Sequence, residues 1–319
     1  MAQSHAAGSA VYAALFGNLA VAATKGVAAF WTGSSSMLSE AVHSLVDTFN
    51  EILLLYGLHR AARRPDTRHP LGYGREIYFW SFVVALLVFA LGAGVSIYEG
   101  IVHLREPEPI EAPNVAYAVL ALSLLFEGAS WWVAWKQFRS INPERSLLSA
   151  IRRSKDPATF TVLMEDSAAV IGLLIALAAT AAGQWWQRPE FDGIGSLAIG
   201  GLLAVTALLL ARETKGLLIG EPADAHVVEL ILETARREPG VVSANGVLTT
   251  HVAPDQIIAS VSLEFDDGLR APEIEAAVTS IEDAVRARAP AIVLLFVKPQ
   301  TAGGYDRARR RYFGVAAES

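Results

Sequence analysis

Six stretches of roughly 20 residues, almost free of charge, recur along the chain at approximately 9–31, 37–58, 78–101, 114–135, 160–183 and 193–211. Each is long enough to cross a hydrocarbon core of about 30 Å as a helix. From about residue 212 the pattern changes: Glu, Asp, Arg and Pro return, and no later run is apolar for long enough to span. There the pattern predicts a helix over 222–238, with Pro222 suited to its first turn, and a strand over 244–252. Residues 257–265 alternate, with Ile257, Ala259, Val261, Leu263 and Phe265 on one face and Ser260, Ser262 and Glu264 on the other, which predicts a second strand. Ile274, Val278, Ile281 and Val285 form the apolar stripe of a helix, and Ile292–Val297 reads as a last short strand before Pro299.

The expected fold is therefore an all-α six-helix transmembrane bundle over 1–211, followed over 212–300 by a small cytoplasmic α+β domain. Its order αββαβ is that of a ferredoxin-like sheet covered by helices on one face. The basic tail 301–319, with Arg307, Arg309, Arg310 and Arg311, reads as a solvated end.

Composition agrees with a membrane protein. Of 319 residues 53% are hydrophobic and 18% charged, where a soluble domain carries about a quarter charged residues. There are no cysteines, so thiolate metal sites, thiol redox chemistry and disulfides are excluded. A net charge of −6 argues against nucleic acid as a partner, since such proteins are normally basic. The first apolar run has no Lys or Arg before it, so it lacks the basic region of a signal peptide and is read as the first span, inserted directly into the cell (inner) membrane.

The short loops set the orientation. The loop after the second span carries Arg60, Arg63, Arg64, Arg68 and Arg75, and the loop after the fourth carries Arg139, Arg145, Arg152, Arg153 and Lys155. The loops after the third and fifth have only Arg105 and Arg188. Ten basic residues against two make the arginine-rich side cytoplasmic, and six spans put both termini there.

The second span carries the chemistry. Glu40, His43, Asp47, Asn50 and Glu51 interrupt an apolar run. At about 100° per residue they stand near 0°, 300°, 340°, 280° and 20°, inside one arc of roughly 100°. An ionisable residue in mid-membrane costs a few kcal/mol, so it normally faces a partner or a water-filled path. His43 and Asp47 are one turn apart, a spacing that lets imidazole and carboxylate meet on one metal ion. An isolated pair of this kind would more often only hydrogen-bond helices together; the five-residue stripe favours the metal.

In the fifth span Glu165 and Asp166 lie side by side. Adjacent residues point about 100° apart, so one arrangement has Asp166 as a ligand and Glu165 as an outer ligand or proton carrier. The competing reading has both wet at the cytoplasmic end. Lys25, Glu99 and Glu127 in other spans read as structural charges that neutralise one another or line a cavity, with Lys25 free to snorkel.

Leu38–Leu55, with Ala41-Val42-His43-Ser44-Leu45-Val46-Asp47, resembles the second span of the cation diffusion facilitators, the zinc-transporter family. The resemblance extends to Asn18 and Lys25, to His69-Pro70-Leu71-Gly72-Tyr73-Gly74-Arg75-Glu76, and to Glu165-Asp166-Ser167-Ala168-Ala169, and so covers nearly the whole chain. It implies a homodimer of six-span bundles, each with one site between spans two and five that exchanges a divalent cation for protons. His43 and Asp47 then match the ligands of span two, and Asp166 matches the aspartate of span five. The remaining ligand position is Val162 here, which leaves Glu165, Asn50 or water to complete the shell. The resemblance also places Asp66 and His69 in an accessory-site pattern, with Tyr73 where many members have histidine. In the soluble domain Phe296-Val297-Lys298-Pro299 replaces the family's His-x-Asp-Pro, and Asn245 stands at a frequent histidine position. No binuclear site is expected there; His226 and His251 read as surface histidines, and the domain as a dimerisation module.

The expected function is proton-coupled efflux of a divalent transition-metal cation, zinc first, without a resident cofactor and without enzymatic activity. An intramembrane metallohydrolase is the weaker rival, since no HExxH occurs. A non-transporting metal sensor or scaffold is the alternative that Val162 allows.

Overall fold

The computed structural model describes residues 18–110, 112–141 and 154–313. The start of the first predicted span, the loop residues Arg145, Arg152 and Arg153, and the tail from 314 lie outside the described residues. The chain forms two compact units, Met1–Arg64 with Glu76–Lys215, and Pro65–Arg75 with Gly216–Ser319.

The first unit is helical: α1 (residues 18–32), α2 (Ser35–Ala61), α3 (Glu76–Arg105), α4 (Pro113–Ile141), α5 (Pro157–Trp186) and α6 (Glu190–Ile219). Among the described residues four of them, α3, α4 over Pro113–Lys136, α5 and α6, are long and apolar enough to cross a membrane. This is a multi-pass membrane protein. The sequence predicts six spans. Helix α2 has 27 residues, ample for a bilayer, but its polar stripe takes it out of the apolar class, and the described part of α1 is too short to count.

Packing follows the small residues. Helices α3 and α6 cross where a Cβ on Gly193 would lie 3.1 Å from the Gly100 carbonyl oxygen, and one on Gly200 only 2.6 Å from Ile97 Cγ1. In a membrane, where lipid is as apolar as leucine, close backbone approach of this kind is a main source of helix association. The core gathers Met37 and Val46 of α2, Val88 of α3, Leu120 of α4, Leu173 of α5 and Leu203 of α6. Outward-facing Phe30, Leu125, Trp132, Leu174 and Leu208 stay exposed, as a surface against hydrocarbon requires. Near its middle α3 loosens into a π-helical turn, Val88–Ala93.

The second unit has α7 (Ala225–Arg236), β1 (Val241–Ala253), β2 (Gln256–Phe265), α8 (Ala271–Arg288), β3 (Ile292–Pro299) and α9 (Ala302–Phe313). The order αββαβ is present as expected, in a three-stranded sheet β1-β2-β3. Val247 pairs with Val261 in the antiparallel β1–β2 ladder, and Val261 with Val297 in the parallel β2–β3 ladder. The alternating face of β2, Ile257, Ala259, Val261 and Leu263, is buried against Ile231 of α7 and Ile281 and Val285 of α8.

Two expectations are corrected here. Pro222 is not in the first turn of α7: the His251 N–H donates to the Glu221 carbonyl at 2.9 Å and the Ala223 N–H to Thr249 Oγ1 at 2.9 Å, which holds 221–223 along β1 and delays the helix. The basic tail, expected as a solvated end, is exposed and carries a helix in its described part. Residues 302–313 form α9, whose Tyr305 lies over Gly246 on the sheet face that carries Ser260 and Ser262; Arg309, one turn on, lines the same cavity over that face, and all four arginines stay exposed. Helices therefore cover both faces of the sheet, not one.

The α3–α6 crossing makes a paired prediction. Gly200→Ala and Gly201→Ala bring the same gain in helix propensity, about 1 kcal/mol, but only the first meets neighbours, since a Cβ on Gly201 finds nothing within 4 Å. Overpacking of this kind costs about 1–3 kcal/mol. Unfolding midpoints in detergent should fall for Gly200→Ala relative to Gly201→Ala; equal midpoints would refute the tight crossing.

Candidate functional site

Helix α2 begins in a buried polar knot. The Asp192 carboxylate, 1% exposed near the start of α6, accepts from the Ser35 N–H at 2.5 Å, the Ser36 N–H at 3.3 Å, Ser34 Oγ at 2.8 Å and Ser35 Oγ at 3.1 Å, and also from Ser36 Oγ. An anion at a helix N-terminus satisfies N–H groups that have no partner in the helix and complements the helix dipole. Ser39 and Ser196 extend the knot at 2.9 Å, and His103 Nε2 approaches Asp192 to 3.9 Å.

One turn further along α2 the stripe meets α1. Lys25 donates to Ser44 Oγ at 2.7 Å and pairs with Glu40 at 3.4 Å and with Glu127 of α4 at 3.5 Å. Lys25 is fully buried, so it does not snorkel. Glu99 lies elsewhere, beside His103 on a cavity that Ser34 and Ser35 also line.

His43 and Asp47 follow. The His43 ring is 1% exposed, and among the described residues neither of its nitrogens has a hydrogen-bond partner. Its Nδ1 stands 3.4 Å from Asp47 Oδ1, which is likewise unpartnered. Buried polar atoms are rarely left without partners. Two donors each about 2.0–2.1 Å from a tetrahedral zinc ion stand ~3.3–3.4 Å apart. The His43–Asp47 spacing is long for a hydrogen bond and matches the edge of such a tetrahedron.

On α5 the adjacent carboxylates diverge. Glu165 is buried and turned toward α2, where its Oε1 accepts from Asn50 Nδ2 at 2.7 Å. Asp166 is turned toward α4 and accepts from Ser130 Oγ at 3.0 Å. Both lie within Coulombic reach of Asp47. The outermost stripe residue, Glu51, accepts from Asn18 of α1 at 3.0 Å. A groove of about 530 Å³, lined by Asn18, Glu127 and Ser130 among apolar side chains, runs along α1 and α4 beside these groups. Among the described residues no three His, Asp or Glu side chains are gathered closely enough to hold a metal ion together.

The remaining sequence candidates fall in the second unit. Asp66 accepts from the Tyr73 hydroxyl at 2.7 Å and from the N–H groups of Arg68 and His69 at 2.9 and 2.7 Å. The Tyr73 hydrogen bond, backed by those from the backbone, holds the Asp66 carboxyl below the usual carboxylate range. The His69 ring lies tilted against Tyr73 with centroids 4.3 Å apart, so the loop closes on itself. His226 is exposed as expected. His251 is not a surface residue: it is 6% exposed, with its Nδ1 3.2 Å from the Ala253 carbonyl, because Gly74 of the loop packs against Val252 and Ala253 at the hairpin end.

Sequence reasoning missed Asp192 and His103. Each is a lone polar residue near the end of an apolar run, where it reads as wet; only the three serines at 34–36 in one helical turn hinted that an acceptor was needed.

Comparison with known proteins gives a consistent picture. The family model described as the cation efflux transmembrane domain matches residues 11–219. The mitochondrial proton-coupled zinc antiporter of Xenopus laevis is 38% identical over 239 residues, 74% of this chain and 43% of that protein. Its human counterpart is 34% identical over 76% of this chain and 43% of that protein. The chain thus spans less than half the length of these two relatives. The cation-efflux pump FieF of Serratia proteamaculans is 27% identical over 90% of this chain and 94% of its own length.

The knot at Asp192 predicts a large local cost. Asp192→Ala strips two backbone N–H groups and three hydroxyls of their acceptor and should destabilise by about 2–3 kcal/mol, the range for losing hydrogen bonds to a charged group. Glu190→Ala, two residues earlier and half-exposed, should stay within about 0.5 kcal/mol. Thermal unfolding in detergent that does not separate the two variants would rule out the cap.

Proposed function

Since the chain belongs to the cation efflux family, the cation diffusion facilitators, on the branch represented by the mitochondrial zinc antiporters, we propose that it is a proton-coupled antiporter that exports a divalent transition-metal cation, zinc first, from the cytoplasm. The observation that carries this reading is the pair of buried His43 and part-buried Asp47, whose Nδ1 and Oδ1 lack hydrogen bonds among the described residues and stand 3.4 Å apart in the middle of α2. Both α1 and α2 cross the bilayer in this reading, which makes six spans. The arginine-rich loops and both termini face the cytoplasm, or the matrix if the inner membrane is mitochondrial, as the names of the antiporter relatives state for those proteins.

The ion is cargo. His43 and Asp47 bind it from α2, and α5 supplies the other donors: Asp166 by turning away from Ser130, and Glu165 by releasing Asn50 or by carrying a proton. Binding needs a neutral imidazole and ionised carboxylates, so loading the ion displaces protons and returning protons displace the ion. Histidine and carboxylate donors suit Zn²⁺ and also Co²⁺, Ni²⁺, Fe²⁺ and Mn²⁺. Alternating access then requires α2 and α5 to open first to one side and then to the other around the same groups. The second unit joins two copies into a homodimer.

The rival is a membrane metal sensor or scaffold that binds without transporting. It is favoured by Val162, which stands where the resemblance places a ligand.

Zinc flux in proteoliposomes under an imposed pH gradient tests the proposal. Substitution of residues that merely support metal ligands costs roughly 10- to 100-fold, so Asp47→Ala, which removes a ligand, should lower flux at least that far. Competition among Zn²⁺, Mn²⁺, Co²⁺, Ni²⁺ and Fe²⁺ ranks the cargo. Wild-type flux from Asp47→Ala would remove the site, and equilibrium binding without any flux would establish the sensor.

A further inference from the structure

The ion cluster of Lys25, Glu40 and Glu127 holds no ligand of the proposed site, yet it borders it. Lys25 and Glu40 are both fully buried. Taking an ammonium and a carboxylate out of water costs several kcal/mol each, repaid only by close pairing. Lys25 meets that requirement with three acceptors, Ser44 Oγ at 2.7 Å, Glu40 Oε2 at 3.4 Å and Glu127 Oε1 at 3.5 Å.

Position gives the cluster its reach. Glu40 lies three residues before His43 and Ser44 one after it, so the ammonium is bonded to α2 on either side of the imidazole. His43 is within Coulombic range of Lys25, Glu40 and Glu127, and Asp47 within that of Lys25 and Glu127. The other Glu40 oxygen, Oε1, has no hydrogen bond and lies against α5 at Gly172, where a Cβ would come within 2.3 Å of it. Glu40 is therefore held between α1 and α5 at the interface from which the cargo's donors come.

We propose that Lys25 is the built-in counter-cation of the transport site, a positioning residue that sets the affinity for a divalent ion by balancing Glu40 without ligating the ion. The inference rests on the transport reading given above. With Glu40 compensated, Glu127 is the carboxylate of the cluster left unbalanced, so the arriving ion meets the charge of its own ligands and that one group, binds reversibly and can leave. An uncompensated Glu40 would hold a divalent cation too tightly; an uncompensated Lys25 would repel it.

The test uses the full chain, with zinc binding measured in detergent and zinc flux in proteoliposomes. Glu40→Gln leaves Lys25 paired with Glu127 and removes one negative charge from the cluster, and it should weaken zinc binding and raise the apparent KM about tenfold. Lys25→Met should do the opposite, with tighter binding and slower turnover. The double variant Lys25→Met with Glu40→Gln should return both quantities to within about threefold of wild type, and Lys25→Arg, which keeps the charge, should stay near wild type throughout. A purely structural role predicts loss of folded protein without opposite shifts in KM. The proposal is overturned if the two single variants move KM in the same direction, if the double variant is no nearer wild type than the singles, or if it fails to fold. Wild-type protein that binds zinc but shows no flux would overturn the transport reading, while the binding shifts would still decide the role of Lys25.

Discussion

A helix that carries five polar side chains through an apolar bundle has to find a partner for each of them on its neighbours. That constraint organises the first unit. Helix α2 is tied to α6 through Ser34, Ser35, Ser36 and Asp192, to α1 through Glu40 with Lys25 and Glu51 with Asn18, and to α5 through Asn50 with Glu165. Lys25 also reaches Glu127 of α4. Apolar packing between α2 and its neighbours supplies contact, but lipid competes with it on nearly equal terms; the polar ties fix which helix lies beside which and in what rotation. Only His43 is left without a hydrogen bond at either ring nitrogen among the described residues. Glu40, Asn50 and Glu51 have found partners on neighbouring helices, whereas His43 and Asp47 Oδ1 have none, and that exception is the basis of the proposed site.

Much of this was legible in the sequence, for a physical reason. Span length follows from bilayer thickness, and strand and helix periods from backbone geometry, so the long apolar helices and the αββαβ order come from counting. The stripe on α2 was legible because five polar residues within one arc are hard to arrange by accident. What escaped depended on partners distant in sequence. Asp192 is 158 residues from Ser34, and nothing local distinguishes it from an interfacial aspartate. His251 reads as exposed on an alternating strand until a loop from residues 65–75 packs on the hairpin end. The helix at 302–313 was hidden by its own charge: four arginines dominate its composition, while Tyr305 seats it on the sheet.

The second unit shows the same logic with a different outcome. Where the resemblance to metal transporters would place histidines, this chain has groups that satisfy one another. Tyr73 gives its hydroxyl to Asp66 and its ring to His69, and Asn245 donates to Ser262 and to the Gln300 carbonyl. Around Asp66 the carboxylate is already hydrogen-bonded, whereas Asn245 Oδ1, like both His43 nitrogens and Asp47 Oδ1, is buried without a hydrogen bond among the described residues.

The pair on α5 bears on how a shell could survive the valine at 162. Val162 and Asp166 share a face, four residues apart, and that face is turned outward: Val162 is 40% exposed and Asp166 leans on Ser130 of α4. Glu165, one residue earlier and about 100° around the helix, belongs instead to the buried face with Ala168, Ala169 and Gly172. The small residues there let α2 approach closely enough for Asn50 to reach Glu165, and for Glu40 to rest on Gly172. Moving a carboxylate by one position therefore rotates it from the groove side of α5 to the α2 side. On the proposed reading, a donor missing at 162 is offset by one at 165 that already faces His43 and Asp47's helix. On that reading Glu165, three residues after Val162, would have to exchange its hydrogen bond with Asn50 for the ion.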